Sequence, residues 1–242
     1  MVKETMTSSG VSEASVSQEE VRATNARFGG ITAIVGALLM IGGAALWAIA
    51  GADLDAALVD GTVGSYLTDA AGNVKILTAN LSLWMFGVVF LAAGGIGLSR
   101  LSSTNSAVAT AAQGSYLVGA ALGLAAFALW LGIVQELAPV HGQDADLSAV
   151  AAALGLTATT ADWVATALII GVGPGLISFA GKGVWVPRWL FIWGIVAVIA
   201  SGVSILGLYI GGRATWAFID VPVGVGWTLA AGIVALRHRT RT

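Results

Sequence analysis

The sequence predicts an all-α protein, a polytopic membrane bundle of six transmembrane helices with both termini in the cytoplasm. Three observations predict this fold. Of the 242 residues, 57% are apolar and only 10% are charged, whereas roughly 25% are charged in an average soluble domain. The chain contains six apolar runs, each near or above the ~20 residues that a helix needs to cross a bilayer. Nine of the eleven Lys and Arg residues fall on one side of the membrane that these runs imply.

The chain divides into three parts. Residues 1–27 are rich in Ser, Thr and Glu and lack an apolar stretch, which predicts a disordered cytoplasmic tail. A short helix is the alternative, because Ser17-Gln18-Glu19-Glu20 resembles a capping box. Residues 28–236 form the transmembrane domain, and residues 237–242 form a basic cytoplasmic C-terminus. The predicted spans are 28–50, 77–98, 107–134, 162–180, 189–210 and 215–236.

The distribution of basic residues predicts the orientation. Cytoplasmic segments of membrane proteins carry an excess of Lys and Arg. Acidic residues gather on the opposite side, where two long connections, 51–78 and 135–161, are expected to form structured loops. The residues assigned to the inner side are Lys3, Arg22, Arg27, Arg100, Lys182, Arg188, Arg237, Arg239 and Arg241, and those on the outer side are Lys75 and Arg213.

The inner loop between the fourth and fifth spans reads Lys182-Gly-Val-Trp-Val-Pro-Arg-Trp-Leu190. Pro187 suits the start of a helix, Arg188 can reach phosphate headgroups, and Trp185 and Trp189 are expected to lie at the membrane interface. A structural turn is the first interpretation, and lipid recognition or partner docking is the alternative.

The segment Val186-Pro-Arg-Trp-Leu190 also resembles the inner loop of the domain of unknown function 4386 family, which comprises bacterial six-helix membrane proteins. Phe191 follows it where family members often have Gly. The resemblance extends loosely over residues 28–236 and implies the six-helix architecture and a bacterial plasma membrane. It implies no activity.

The fourth span carries a break at Gly171-Val-Gly-Pro174-Gly175. Pro174 removes a backbone hydrogen bond and clashes with the carbonyl of Ile170. The break is expected roughly 17 Å below the outer end of the span, near the bilayer midplane. Interrupted helices at that depth bind substrate in transporters. The alternative is a kink whose glycines let neighbouring helices pack closely.

Polar groups at the outer helix ends form the main candidate ligand site. Asn80, Glu136, Asp162 and Asp220 lie on four different spans and are predicted to converge on one outer-facing cavity, with Glu136 and Asp162 as the favoured pair. Charged groups at the membrane edge are costly and tend to face a cavity or one another. In the alternative, Asp162 and Asp220 cap helix N-termini and Glu136 reaches the membrane interface. Residues 146–155 are expected to form a separate amphipathic helix that covers the bundle.

Several chemistries find no support in the sequence. The chain has no cysteine, its two histidines lie outside the apolar runs, and its net charge is −2. No motif for a metal protease, a dinucleotide or a nucleotide phosphate is present. We therefore expect no cofactor, metal, catalytic residue or nucleic-acid partner.

The favoured function is that of a non-catalytic accessory, sensing or partner-binding membrane protein. Its expected partners are membrane lipids and a membrane-protein partner or a second copy of the chain. The first alternative is a small transporter or carrier of a lipid-soluble or small polar molecule. The second is a membrane enzyme that acts at the outer face.

Overall fold

A computed structural model describes residues 9–102, 107–143, 147–210 and 213–238. Side chains are described over residues 19–102, 107–141, 147–207 and 219–238. The first eight residues of the predicted tail and residues 239–242 of the predicted basic C-terminus lie outside the described residues.

The described residues fold into helices and contain no strand. Six helical spans are long and apolar enough to cross a membrane, so the predicted all-α fold with six candidate transmembrane helices is confirmed. The fourth span is built from α6 and α7, which a π-helical turn at Ala167–Val172 joins, and a π-helical turn at Ile133–Leu137 extends α5. A 3-10 helix covers Ala138–Gln143. The α-helices are α1 Ser9–Ala50, α2 Leu54–Asp60, α3 Val63–Gly72, α4 Val74–Ser99, α5 Ala107–Gly132, α6 Leu147–Thr166, α7 Gly173–Gly181, α8 Arg188–Ile210 and α9 Arg213–His238.

The six spans form a closed ring in chain order. Each span contacts the next, and α9 returns to α1. The beginning of α1 lies beside the end of α9, since a Cβ atom at Gly30 would meet the side chain of Leu236. Both ends of the described chain therefore lie at one end of the bundle. We call this the basic end, because it holds Arg27, Arg100, Lys182 and Arg237, and we call the opposite end, which holds Asp53, Asp55, Asp162 and Asp220, the acidic end.

Small residues bring α1 and α4 together in the half of the bundle nearer the basic end. A Cβ atom at Gly29 would lie 2.7 Å from the backbone nitrogen of Leu98, and one at Gly94 would lie 2.6 Å from that of Ala33. Gly97 meets the Cα of Gly29 in the same way. Without a hydrophobic driving force between helices, such backbone contact supplies the van der Waals attraction that holds membrane helices together.

The N-terminal segment differs from the sequence expectation. Helix α1 begins at Ser9 and continues without a break to Ala50, whereas residues 1–27 were expected to be disordered. Adding residues to an existing helix is far easier than starting one. The transmembrane part of α1 can therefore extend a helix into the Glu- and Ala-containing segment before it.

The predicted covering helix at 146–155 is also wrong. From Leu147 onward these residues belong to α6, and the fourth span begins there rather than at residue 162. The segment is rich in Ala and Leu and contains no proline, so nothing in it ends the helix. The cover at the acidic end is instead α2 and α3, which pack on α6. Asp53 caps α2 by accepting a hydrogen bond from the amide of Ala56 at 3.1 Å.

The loop at the basic end is a compact turn. The carbonyl of Gly181 accepts hydrogen bonds from the amides of the three residues 184–186, and Gly183 has a φ of 76°, which glycine adopts without strain. Trp185 is buried, and its Nε1 donates to the hydroxyl of Ser102 at 3.4 Å. Trp185 therefore ties two loops of the bundle together and is not the interface anchor that the sequence suggested.

The residues around the start of α8 keep the surface position that the sequence predicted. Pro187 directly precedes α8, and Arg188 and Trp189 are exposed. Phe191 packs edge-on against Phe179 at 5.1 Å between ring centroids. The amine of Lys182 lies 4.6 Å from the centre of the Phe191 ring, at the position where members of the resembled family often have Gly.

Candidate functional site

A cavity of about 660 Å³ lies inside the acidic half of the bundle. Residues from α1, α4, α5, α6 and α9 form its walls, and Asp53, α2 and Tyr66 of α3 cover it. The volume falls within the roughly 300–1,000 Å³ of small-molecule sites. Most of the lining is apolar: the aliphatic and aromatic wall residues include Met40, Ile41, Leu77, Leu81, Trp84, Phe127, Trp130, Val134, Val221 and Val225.

One face of α4 forms a wall of the cavity. Leu77, Asn80, Leu81 and Trp84 follow helical spacing and all line the cavity. The Asn80 amide donates to the carbonyl of Gly43 at 2.8 Å and is almost fully buried. The Trp84 Nε1 donates to the carbonyl of Met40 at 3.2 Å. Two side-chain hydrogen bonds to the backbone of α1 thus fix this wall in place.

Three aromatic rings form a continuous surface on the cavity wall. Phe127 lies 5.6 Å from Trp84 and 5.7 Å from Trp130, measured between ring centroids. Trp84 and Trp130 are 6.5 Å apart. The Nε1 atom of Trp130 is buried and has no hydrogen-bond partner in the described part of the chain. Trp84 and Trp130 both line the interior cavity.

Acidic side chains lie at the covered end of the cavity. Asp53, Asp55 and Asp162 all contribute to its lining. An oxygen of Asp55 accepts a hydrogen bond from the hydroxyl of Thr159 at 2.6 Å, which ties α2 to α6. Burial raises the pKa of Tyr66 far above its usual value, and the negative charges of Asp53 and Asp55 raise it further. Tyr66 therefore remains a neutral hydrogen-bonding group at physiological pH.

Asp162 is the least satisfied of these groups. It is half-buried on the cavity wall, and no described residue forms a hydrogen bond or an ion pair with it. Asp55 and Asp220 are close enough for their charges to act on it. The capping interpretation of Asp162 is wrong, because α6 begins at Leu147, fifteen residues earlier.

Asp220 and Glu136 lie outside the cavity. Asp220 is almost fully buried and faces Ser204 of α8. It does not cap α9, which begins seven residues before it at Arg213. Glu136 is exposed in the π-helical turn after α5. Of the four predicted residues, Asn80 and Asp162 therefore share the cavity, and the favoured pairing of Glu136 with Asp162 is not found.

The predicted break in the fourth span is confirmed. The π-helical turn Ala167–Val172 directly precedes Gly173 and Pro174. The nitrogen of Pro174 carries no hydrogen and cannot donate a hydrogen bond to the carbonyl of Ile170. This carbonyl lies against Gly224 of α9, and a Cβ atom added at Gly224 would collide with the carbonyl oxygen. The absent side chain at Gly224 thus lets the neighbouring helix pack against the interrupted turn.

The glycines of the break lie at a helix interface. A Cβ atom at Gly171 would collide with the side chain of Ser201 on α8, and one at Gly175 would collide with Val198. Gly171, Pro174 and Gly175 are buried, and none of them lines the cavity. This geometry favours the packing interpretation of the break over the transporter-like site.

The sequence interpretation missed the covering residues Asp53, Asp55 and Tyr66. A structured loop was expected at 51–78, but its sequence does not indicate which of its side chains face a cavity. The sequence does contain a pattern that indicates the α4 wall of the cavity. The i, i+3, i+4, i+7 spacing of Leu77, Asn80, Leu81 and Trp84 places a polar side chain on the same helix face as three apolar ones.

Neither histidine lies in the cavity. His141 contacts the hydroxyl of Thr68 at 3.1 Å, and His238 contacts the carbonyl of Val184 at 3.2 Å. Within the described ranges, no three His, Asp or Glu side chains are grouped closely enough to hold a metal ion.

No family model matches the chain, and no curated protein or solved structure matches it either. The resemblance of the basic-end loop to the domain of unknown function 4386 family therefore stays a prediction.

Proposed function

We propose that this chain is a non-catalytic membrane protein that binds a lipid-soluble small molecule in the acidic-end cavity. The observation that carries the proposal is the cavity itself, which is large enough for such a molecule and is walled mainly by apolar and aromatic side chains. Small-molecule sites combine an apolar wall with a few convergent polar groups. Asn80, Asp162 and Tyr66 supply such groups here.

The ligand enters from the bilayer, between α1 and α9. Ile41 and Ala48 of α1 and Pro222 of α9 contribute to the cavity lining and are also exposed. These two helices are in close contact at Gly30 and Gly232, near the basic end. A lipid-soluble molecule concentrates in the bilayer, so a lateral opening gives it access without passage through water.

The acidic end faces the outside of a bacterial plasma membrane in this proposal. Both termini lie in the cytoplasm, as the excess of Lys and Arg at the basic end favours. Membrane lipids surround the bundle, and the exposed α8 surface at Arg188 and Trp189 is available to a membrane-protein partner or a second copy. The loop resemblance supports membership of the domain of unknown function 4386 family.

A small carrier is the second candidate function. It is favoured by the π-helical turn at Ile133–Leu137, which contributes Val134 to the cavity lining, since such turns often mark functional sites in helices. A carrier would move its ligand across proteoliposomes, whereas a binding or sensing protein would only retain it. Uptake by proteoliposomes therefore separates the two candidates.

Two matched variants test the proposed binding function. Ala44 lines the cavity, whereas its neighbour Ala45 is exposed and lies outside the lining. Ala44→Phe should fill part of the cavity, and Ala45→Phe should place the same ring on the lipid-facing surface at the same depth. Each purified protein is extracted with organic solvent, and the extract is analysed by mass spectrometry.

The wild-type protein and Ala45→Phe should retain a lipid-soluble molecule in near-stoichiometric amount, and Ala44→Phe should retain much less. Circular dichroism and gel filtration establish that both variants are folded. The proposal fails if the extracts of the wild-type protein and folded Ala44→Phe contain the same molecules in equal amounts.

A further inference from the structure

We infer that the cavity selects a lipophilic cation, a molecule with an apolar body and a positively charged, ammonium-like centre. This inference rests on the proposed function, because it specifies the ligand of the same cavity. Its support comes from a carboxylate that no described residue pairs, from the acidic side chains near it and from the aromatic wall.

The carboxylate that has no partner among the described residues is that of Asp162. A carboxylate at membrane depth is expensive and ordinarily pairs with another group or faces a cavity. Asp162 forms neither a hydrogen bond nor an ion pair with a described residue, although it lies on the cavity wall. Its position in the middle of a helix leaves no free amides nearby to stabilise it. A cationic ligand would supply the missing counter-charge.

Among the side chains that the structure describes, the charges nearest Asp162 are negative. Asp53 and Asp55 line the cavity beside it, and Asp220 is close enough to act on it electrostatically. Among the described residues, no Lys or Arg contributes to the lining. Low-dielectric walls focus the field of such a cluster into the cavity. The field attracts a cation and repels an anionic lipid headgroup.

The aromatic wall is suited to the same ligand. The faces of Trp84, Phe127 and Trp130 carry partial negative charge, so they attract organic cations as well as apolar groups. Sites for quaternary ammonium ligands are built from such rings. An organic cation fits this wall better than a metal ion, because its apolar groups contact the rings while its charge faces Asp162.

Tetraphenylphosphonium and tetraphenylborate provide a direct test. The two ions have nearly the same size and shape and opposite charges. Their binding to the full chain is measured by equilibrium dialysis in uncharged maltoside micelles, with empty micelles as background. Tetraphenylphosphonium should bind saturably, at least about 100-fold more tightly than tetraphenylborate. Equal binding of the two ions would overturn the inference, and this comparison needs no variant to fold.

A matched pair of variants then assigns the charge. Asp162→Asn removes the carboxylate with little change in shape and should weaken tetraphenylphosphonium binding at least about tenfold. Glu136→Gln removes the same charge from the same end of the bundle, outside the cavity, and should leave binding unchanged. Wild-type affinity in Asp162→Asn, or an equal loss in Glu136→Gln, would refute the role of Asp162.

The outcome separates this inference from the proposed function. If the wild-type protein retains an uncharged molecule that Ala44→Phe loses, and tetraphenylphosphonium does not bind, the cation class is wrong and the binding function stands. If tetraphenylphosphonium does not bind and the extracts of the wild-type protein and folded Ala44→Phe contain the same molecules in equal amounts, both the cation class and the proposed binding function are wrong.

Discussion

The close contact between α1 and α4 makes a quantitative prediction for Gly94→Ala. The added Cβ atom would lie 2.6 Å from the backbone nitrogen of Ala33 and 2.7 Å from its Cα, whereas ordinary contacts begin at 3.4 Å. The differences, 3.4 − 2.6 and 3.4 − 2.7, require the helices to separate locally by about 0.7–0.8 Å. The atoms in the way belong to the backbone and cannot rotate aside.

A gap of that size forfeits a quarter to a half of the attraction between nearby atom pairs, and overpacking typically costs about 1–3 kcal/mol. Alanine recovers about 1 kcal/mol through its higher helix propensity. The expected net loss is about 2 kcal/mol of unfolding free energy, because the clash with backbone favours the upper end of the range.

Gly114→Ala is the matched control. Gly114 lies on the exposed face of α5, and a Cβ atom there would meet nothing within 4 Å. This variant should gain about 0.5–1 kcal/mol from the helix propensity alone. Reversible unfolding in mixed micelles, followed by circular dichroism, should therefore separate the two variants by about 2.5–3 kcal/mol. If Gly94→Ala is as stable as Gly114→Ala, the assigned helix contact is wrong.

Three further predictions concern orientation, pH and the π-helical turn. Because the chain has no cysteine, Thr62→Cys should react with a membrane-impermeant maleimide outside cells and Val184→Cys should not; the reverse pattern would invert the proposed topology. The pKa of Tyr66 is raised in the folded protein, so above about pH 10 the Tyr66 phenol ionises in the unfolded chain before it does so in the folded one. The wild-type protein should therefore lose up to about 1.4 kcal/mol of unfolding free energy per pH unit that Tyr66→Phe does not lose. Parallel curves of stability against pH for the two proteins would contradict this. Ser115→Ala removes a 2.7 Å hydrogen bond to the carbonyl of Leu168 and should lower the unfolding free energy by about 1–2 kcal/mol in the same assay. An unchanged unfolding midpoint would contradict this prediction.

The transmembrane spans could be predicted from the sequence because the bilayer imposes a length and a polarity on each of them. The break at Pro174 could be predicted as well, since a proline inside a helix cannot complete the hydrogen-bond pattern. The start of the fourth span could not. Apolar residues such as Leu147 are equally compatible with a surface helix and with the first turns of a longer span.

Only part of the candidate site could be predicted from the sequence. Asn80 and Asp162 stand out, because polar groups in apolar helices are costly. The direction in which a side chain points depends on which helices are neighbours and how they are rotated, and apolar sequences specify this weakly. Nothing in the sequence therefore indicates that Trp84 and Trp130 line the cavity.

The position of the cavity follows from where the small residues lie along α1. In its first transmembrane half, Gly29 and Ala33 meet α4 backbone to backbone, and Gly30 does the same with α9, which leaves no space between the helices. In its second half, α1 meets α4 through the side chains of Asn80 and Trp84, and the cavity lies beside these side chains. The cavity therefore lies at the acidic end, and the Asp162 carboxylate, a group that the membrane tolerates poorly, lines it where a ligand can satisfy that carboxylate.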